Sequence, residues 1–273
     1  MRTRPIPRTN EQLPVVGLGT WQTFDPSSAS PDVLARLEQT LRLVHDAGGR
    51  VIDSSPMYGK SEEIVGRLTT KLGLNASFFI ATKVWTTGRD AGIRQMETSM
   101  RLLGRQQIDL MQVHNLVDWR THIATLRDWK ARGRIKYIGI THYTPSAYDE
   151  LERVMRSEKP DFVQLAYSIG VRDAEQRLLP LAADLGIAVL VNRPFEGGDV
   201  FSHARTKSLP AFVQAFAQSW AQAFLKFILA HPAVTCVIPG TGNPDHVRDN
   251  LTAGEGRLPT AEECRQFVAA VSS

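Results

Sequence analysis

The chain has 273 residues, 42% hydrophobic and 22% charged, the balance of a soluble globular protein with a sizeable core. Its formal net charge is only +4, with both signs spread along the sequence and no dense run of Lys and Arg. Nucleic acid is therefore not an expected partner.

Short apolar runs alternate with longer amphipathic ones. The first run, 15–19, is followed by a predicted helix over 31–47 that places Val33, Leu34, Leu37, Leu41 and Val44 on one stripe. Gly48 and Gly49 stop it, as glycines past a helix end do. Run 51–54 precedes a helix over 61–72 with Ser61 as its expected N-cap, and run 78–83 precedes a helix over 91–103 ended by Gly104. Run 108–114 leads to a helix over 122–132 ended by Gly133. Run 137–141 leads to a helix over 145–157, with Thr144 as cap and Pro145 at its first position. Run 162–165 precedes a helix over 174–185 ended by Gly186. Runs 187–191 and 235–238 complete the set, separated by an irregular interval with a helix-like stretch over 211–230.

Eight runs rich in Val, Ile and Leu read as strands buried on both faces of a parallel sheet. Strand and helix alternate until eight strands are used. The expected fold class is α/β, a (β/α)8 TIM barrel forming one domain over 1–273; such a barrel needs ~250 residues.

Cys236 and Cys264 sit in no CxxC motif or Cys/His cluster, so no metal site is expected. A disulfide between them stays open, with reduced thiols the simpler reading. The start, MRTRPIPRTNEQLPVVGLG, lacks the apolar stretch of a signal peptide, and no segment approaches the ~18 apolar residues of a membrane span. A cytoplasmic protein with no membrane partner is expected.

In such a barrel, polar residues at the C-terminal ends of strands carry chemistry. Asp53 ends the second run, Tyr58 lies five residues on, Lys83 ends the third run and His114 the fourth. Each alone has a plainer explanation: a turn cap, a snorkelling lysine, a packed loop tyrosine, a structural histidine. Their occurrence at successive strand ends points instead to one shared site. An ammonium near a phenol favours the tyrosinate, so Lys83 is expected to lower the pKa of Tyr58, with Asp53 holding Lys83 charged.

The stretches LPVVGLGTW, VIDSSPMYGKSEEIVG, ATKVW, IDLMQVH, GRIKYIGI, FVQLAYS and VIPGTGNPDHVRDNL run from residue 13 to about 251. In this order the sequence resembles the aldo-keto reductase superfamily. The resemblance implies NADPH or NADH bound in extended form to a barrel without a Rossmann fold. It implies a catalytic tetrad of Asp53, Tyr58, Lys83 and His114 that reduces aldehydes or ketones. Tyr58 would act as general acid and His114 would hydrogen-bond the carbonyl oxygen.

By the same resemblance, Gln164, Thr141 and His142 bind the nicotinamide carboxamide, with Thr-His in place of the family's usual Ser-Asn. Asn192 stands where many relatives stack a tyrosine on the ring, leaving Trp21 or Phe195 to cover it. Thr20, Asp53, Arg193, Pro194 and Asn250 complete the expected cofactor lining. The last strand leads to Asn243 as N-cap and Pro244 as first helical residue, an anion site of free amides. Gly240 and His246 replace the frequent Lys and Arg for a 2′-phosphate, leaving Thr241 and Arg248 as the other candidates. NADP is the expected cofactor, with NAD the alternative. Trp21, Phe24, Trp85 and Trp119 are the expected walls for a small-molecule carbonyl substrate. A monomer or weak homo-oligomer is expected. The alternative within the superfamily is a cofactor-binding regulatory subunit with little turnover. A metal-dependent barrel hydrolase would need several His and carboxylates converging on one ion; only His114 ends a strand with a clear role, and His142 alone is not enough.

Overall fold

The computed structural model describes residues 1–27, 30–202 and 208–272. In chain order, the elements are β1 (Thr3–Pro5), β2 (Gln12–Pro14), β3 (Leu18–Gly19), α1 (Pro31–Asp46), β4 (Val51–Asp53), α2 (Ser61–Lys71), β5 (Phe79–Val84), α3 (Arg89–Leu103) and β6 (Ile108–His114). There follow α4 (Trp119–Ala131), β7 (Ile135–His142), α5 (Tyr148–Glu158), β8 (Phe162–Ala166), α6 (Leu178–Leu185), β9 (Ala188–Asn192), α7 (Ala211–Gln214), α8 (Trp220–Ala230), β10 (Val234–Val237), α9 (Pro244–Thr252) and α10 (Ala261–Ser272).

Strands β3 to β10 form one parallel sheet in sequence order, each paired with the next. Parallel bridges Val16–Val237 and Gly19–Gly240 join its two edges, so the sheet closes into the expected (β/α)8 barrel. Closure requires glycine. A Cβ on Gly19 would stand 2.9 Å from the Ile238 carbonyl oxygen, and one on Gly17 2.8 Å from Val51.

Two apolar cores result. The outer one lies between strands and helices. The inner one fills the barrel and includes Val51, Phe79, Leu110, Tyr137, Phe162, Leu190 and Cys236. Both cysteines are free, and Cys236 is fully buried in this inner core. An antiparallel hairpin of β1 and β2 closes the N-terminal end, sending Ile6 and Leu13 into the inner core. Arg4 fastens the hairpin to the carbonyl oxygens of Leu229, His231 and Val234 at the base of β10.

Several elements differ from expectation. The helix-like stretch 211–230 is two helices, because Ser219 caps α8 by accepting the Gln222 N–H and is itself tied to Asp249. Ser61 lies in the first turn of α2, after Lys60 as cap residue, and its hydroxyl turns to the Thr20 carbonyl. Thr144 makes no side-chain cap; Pro145–Ala147 forms a 3-10 turn before α5 starts. Helix α6 is likewise shorter, preceded by a 3-10 turn over Asp173–Glu175. Helix α10 and the hairpin were not expected.

Helices α2 and α3 cross where Gly66 removes a side chain. A Cβ there would sit 2.0 Å from the Leu102 carbonyl oxygen, a backbone atom that cannot yield without moving α3. Gly66→Ala is therefore expected to destabilise the fold by about 1–3 kcal/mol despite alanine's better helix propensity. The measurement is the urea midpoint, and an unchanged or raised midpoint would contradict the crossing as described.

Candidate active site

The C-terminal ends of the strands open into a cavity of about 800 Å³. It runs from the barrel mouth, past the loop after β9, to the start of α9. Asp53, Tyr58 and His114 all reach it. Lys83 lies behind them, with no exposed surface.

The four predicted residues come together because neighbouring parallel strands end side by side. Asp53 ends β4, Lys83 is the penultimate residue of β5, and His114 ends β6. The Lys83 Nζ donates to Asp53 Oδ2 at 2.7 Å and to the Ser54 carbonyl at 2.6 Å, and lies 5.0 Å from the Tyr58 ring centroid. The Tyr58 and His114 rings meet edge to face at 5.9 Å.

Burial opposes charge on Lys83, but the Asp53 carboxylate and the Tyr58 phenol outweigh it and hold the ammonium above its ordinary range. For Tyr58 the balance differs from expectation. Burial pushes the phenol up, Lys83 pulls it down, and Asp53 adds to the upward push, so it stands above its ordinary value rather than below. The result is a protonated hydroxyl at neutral pH with a cation behind it. His114 is depressed to about 2 by burial, by the Lys83 ammonium and by its proximity to His142, so its imidazole is neutral.

Asp53 is also the anchor of an amide network. Its Oδ1 accepts from Gln164 Nε2 at 2.7 Å and from Gln112 Nε2 at 3.1 Å. Gln164 Nε2 also reaches Gln112 Oε1, and Gln164 Oε1 accepts from Thr141 and from Asn192 Nδ2. Gln164 therefore has all its polar atoms engaged, whereas Asn192 Oδ1 is buried without a partner among the described residues. Gln112 was missed by sequence reasoning, because the more conspicuous His114 two residues on drew the reading of that strand. The signal that could have found it is Gly139 on β7, where a Cβ would fall 2.7 Å from Gln112 Cγ.

Of the expected cofactor residues, Thr20, Trp21, Thr141, Gln164, Asn192, Arg193, Pro194, Phe195, Gly240, Thr241, His246 and Asn250 line the cavity. His142 and Arg248 do not. The His142 ring stacks on Tyr143, and its Nδ1 accepts the Thr144 N–H, so it serves the loop after β7. Arg248 is paired with Asp245 at 2.7 Å. Among the expected substrate walls, Trp21 is at the cavity and exposed. Phe24 is instead fully buried in the outer core, because a turn folds its N–H back onto the Thr20 carbonyl. Trp119 starts α4, donates to Glu150 and packs under Arg120, away from the cavity. Trp85 is outside the lining but borders it, with its ring 6.4 Å from His114. Met57, Tyr143, Trp220 and Asp249 line the cavity and were missed. Asn243 caps α9 as expected, accepting the Asp245 N–H at 2.9 Å. Among the described residues, no group of three or more His, Cys, Asp or Glu is placed to hold a metal, and no helix is long and apolar enough to cross a membrane.

The model of the aldo/keto reductase family matches residues 15–270. The chain belongs to that family. It is 28% identical over 258 residues to the methylglyoxal reductase YeaE of Escherichia coli, covering 92% of this chain and 88% of that protein. It is 29% identical over 231 residues to an NADH-specific methylglyoxal reductase of the same organism, covering 72% and 68%. The fold is that of an aldo/keto reductase from Klebsiella pneumoniae solved with NADP and acetate, at a TM-score of 0.80 and 22% identity over 98% of this chain and 94% of that one. An aldo-keto reductase from Bacillus halodurans, in holo form, matches with a TM-score of 0.79 at 23% identity, covering 99% and 96%.

The depressed His114 carries a pH consequence. The unfolded imidazole titrates near 6.5 and the folded one near 2, so acid favours unfolding. Its share of stability is full above 6.5 and is lost as pH falls toward 2. The His114 Cε1–H resonance should accordingly stay fixed between about pH 8 and 5, where an ordinary histidine moves. A His114 titration in that window would contradict the neutral imidazole.

Proposed function

We propose that this protein reduces aldehydes or ketones to alcohols with a nicotinamide cofactor, using Tyr58 as general acid. The observation that carries the reading is the Tyr58 phenol at the cavity, backed by the buried Lys83–Asp53 pair and flanked by neutral His114. The cavity volume lies in the range of ligand sites. Its far end meets the N-terminal, positive end of α9, where His246 lines the cavity, an end whose dipole suits a phosphate group. Asn192 Oδ1, buried without a partner among the described residues, is a further polar atom to satisfy near the barrel mouth.

A reduced nicotinamide bound there would supply a hydride to the carbonyl carbon. The Tyr58 Oη–H would give its proton to the carbonyl oxygen as negative charge develops on it. Burial keeps that proton on the phenol in the resting state. The Lys83 ammonium then stabilises the tyrosinate left behind, and Asp53 keeps Lys83 charged and in place. His114 orients the carbonyl oxygen and stabilises charge developing on it. Thr141, Gln164 and Asn192 would position the nicotinamide end, and Thr241, His246 and Asn250 the adenosine end. Trp21, Met57 and Tyr143, all partly exposed at the mouth, would face the substrate.

Oxidation of NADPH and NADH with a panel of carbonyl compounds tests the activity, methylglyoxal first because two relatives are named as its reductases. Tyr58→Phe keeps the ring and deletes the proton. It should lower turnover by ~10²–10⁴-fold while leaving cofactor affinity unchanged. Near-normal turnover in that variant would remove Tyr58 from the proposed role.

The 2′-phosphate end carries few cations. Gly240 brings none, Arg248 is held by Asp245, and Asp249 lines the cavity. NADPH should bind more tightly than NADH by no more than about tenfold, roughly the worth of one weak charge-assisted contact. Because Arg248 does not line the cavity, Arg248→Ala should leave the ratio of the two dissociation constants unchanged. Titration of both cofactors at matched ionic strength measures it, and a selective loss of NADPH in the variant would return Arg248 to the phosphate site.

A further inference from the structure

Ser55 follows the β4 strand end and has no exposed surface. Its Oγ lies 3.1 Å from His114 Nδ1, and it accepts the backbone N–H of Met57 at 3.3 Å. Among the described residues, Nδ1 is the one hydrogen-bond acceptor within reach of this hydroxyl. The other ring nitrogen, Nε2, has no partner among them, and the ring lines the cavity.

We propose that Ser55 is a positioning residue that fixes His114 as the Nε2–H tautomer, so that the imidazole presents a donor, not a lone pair, to the cavity. The inference rests on the carbonyl-reducing reading for its purpose, though not for its geometry.

Two arrangements are open to a neutral imidazole next to a hydroxyl. In one, Ser55 donates to Nδ1. The Ser55 oxygen then accepts from Met57 and gives its own hydrogen to the ring, every polar atom of the hydroxyl is used, and the ring hydrogen sits on Nε2. In the other, Nδ1–H donates to Ser55. The hydroxyl oxygen then accepts twice, and its hydrogen is left in a buried position without an acceptor. Buried donors left unpaired are strongly disfavoured, so the first arrangement prevails. The groups around the ring do not reverse this choice. Burial, then Lys83 and His142, oppose protonation of His114, which keeps a single ring hydrogen. Tyr58 and Trp85 meet the imidazole through their rings.

The consequence is directional. A carbonyl oxygen accepts hydrogen bonds and cannot donate, so a bare Nε2 would repel it, while Nε2–H orients it and stabilises charge developing on it. A serine in the turn between Asp53 and Tyr58 thus determines what His114 offers to a ligand.

The test is a long-range ¹H–¹⁵N correlation spectrum of the full chain labelled with ¹⁵N-histidine, with His114 assigned by comparison with His114→Gln. The wild type should show the His114 hydrogen on Nε2 and a bare Nδ1. Ser55→Ala should give a mixture of tautomers and lower kcat/KM about tenfold, the order of one hydrogen bond's worth, with the dissociation constant for NADP⁺ unchanged. A wild-type hydrogen on Nδ1 overturns the proposal, and this measurement decides even if the variant does not fold. An alanine variant that keeps a pure Nε2–H signal overturns it as well. A wild type with the expected tautomer but no turnover of any carbonyl with either cofactor upholds the role of Ser55 and overturns the reaction.

Discussion

The buried ion pair between Lys83 and Asp53 is the constraint on which the site depends. Two charges in a barrel interior are costly to desolvate, and the pair holds only because its remaining bonds are filled. Lys83 also donates to the Ser54 carbonyl, and the second oxygen of Asp53 accepts from Gln112 and Gln164. Removing either charge would strand the other without water. The pair and its amide partners therefore tie four strands, β4, β5, β6 and β8, to one geometry. A carboxylate can only accept hydrogen bonds, which propagates order further. Facing Asp53 with their NH2 groups, Gln112 and Gln164 have no freedom to flip. Gln164 must then present its oxygen to Asn192, which must answer with its own NH2. The unpartnered oxygen of Asn192 is the end of a chain of orientations that begins at Asp53.

Backbone strain is concentrated in the same region. Gln22, Asn115, Leu116, Arg193 and Glu196 all have positive φ, and they lie in the loops that follow β3, β6 and β9. Non-glycine residues hold such conformations only where surrounding contacts over-determine them. The loop after β9 has those contacts. Glu196 is held by Ser168 and by the Gly170 N–H, and the Arg193 guanidinium lies over the Tyr143 ring at 5.4 Å. The strained loops shape the cavity wall, while the strands set what stands on its floor.

This division explains what could be read from the sequence. Eight strands were legible because each is buried on both faces and so is written in Val, Ile and Leu. The hairpin was not: its strands are three residues long, and Arg4, Pro5, Gln12 and Pro14 give no alternation. The stretch 211–230 looked continuous because its composition is helical throughout, and the break at Ser219 depends on Asp249, thirty residues away in sequence. At the site, Asp53, Lys83 and His114 were legible because a charged or titratable side chain at the end of a buried strand is conspicuous. Ser55 and Gln112 were not, since a serine in a turn and one amide inside a strand have no pattern of their own. Phe24 and Trp119 show the limit from the other side. An aromatic identity says that a surface will be covered; it does not say which one.

The two ends of the cavity are consequently under different control. At the barrel mouth, positions follow from strand register, which a closed sheet of eight strands hardly allows to vary. Ligand-facing groups there are backed by residues that are themselves paired, so a substitution propagates to the ion pair. At the far end, the groups sit on the first turn of α9 and in loops, and their charges are exposed and locally paired, as Arg248 with Asp245. Exposed pairs are worth little and exchange partners readily. A change at Gly240 or His246, both of which line the cavity, can therefore retune recognition at that end without disturbing Tyr58. The chemistry of the site and the choice between its cofactors are separable in this fold, because one is set by buried strand ends and the other by a solvated helix start.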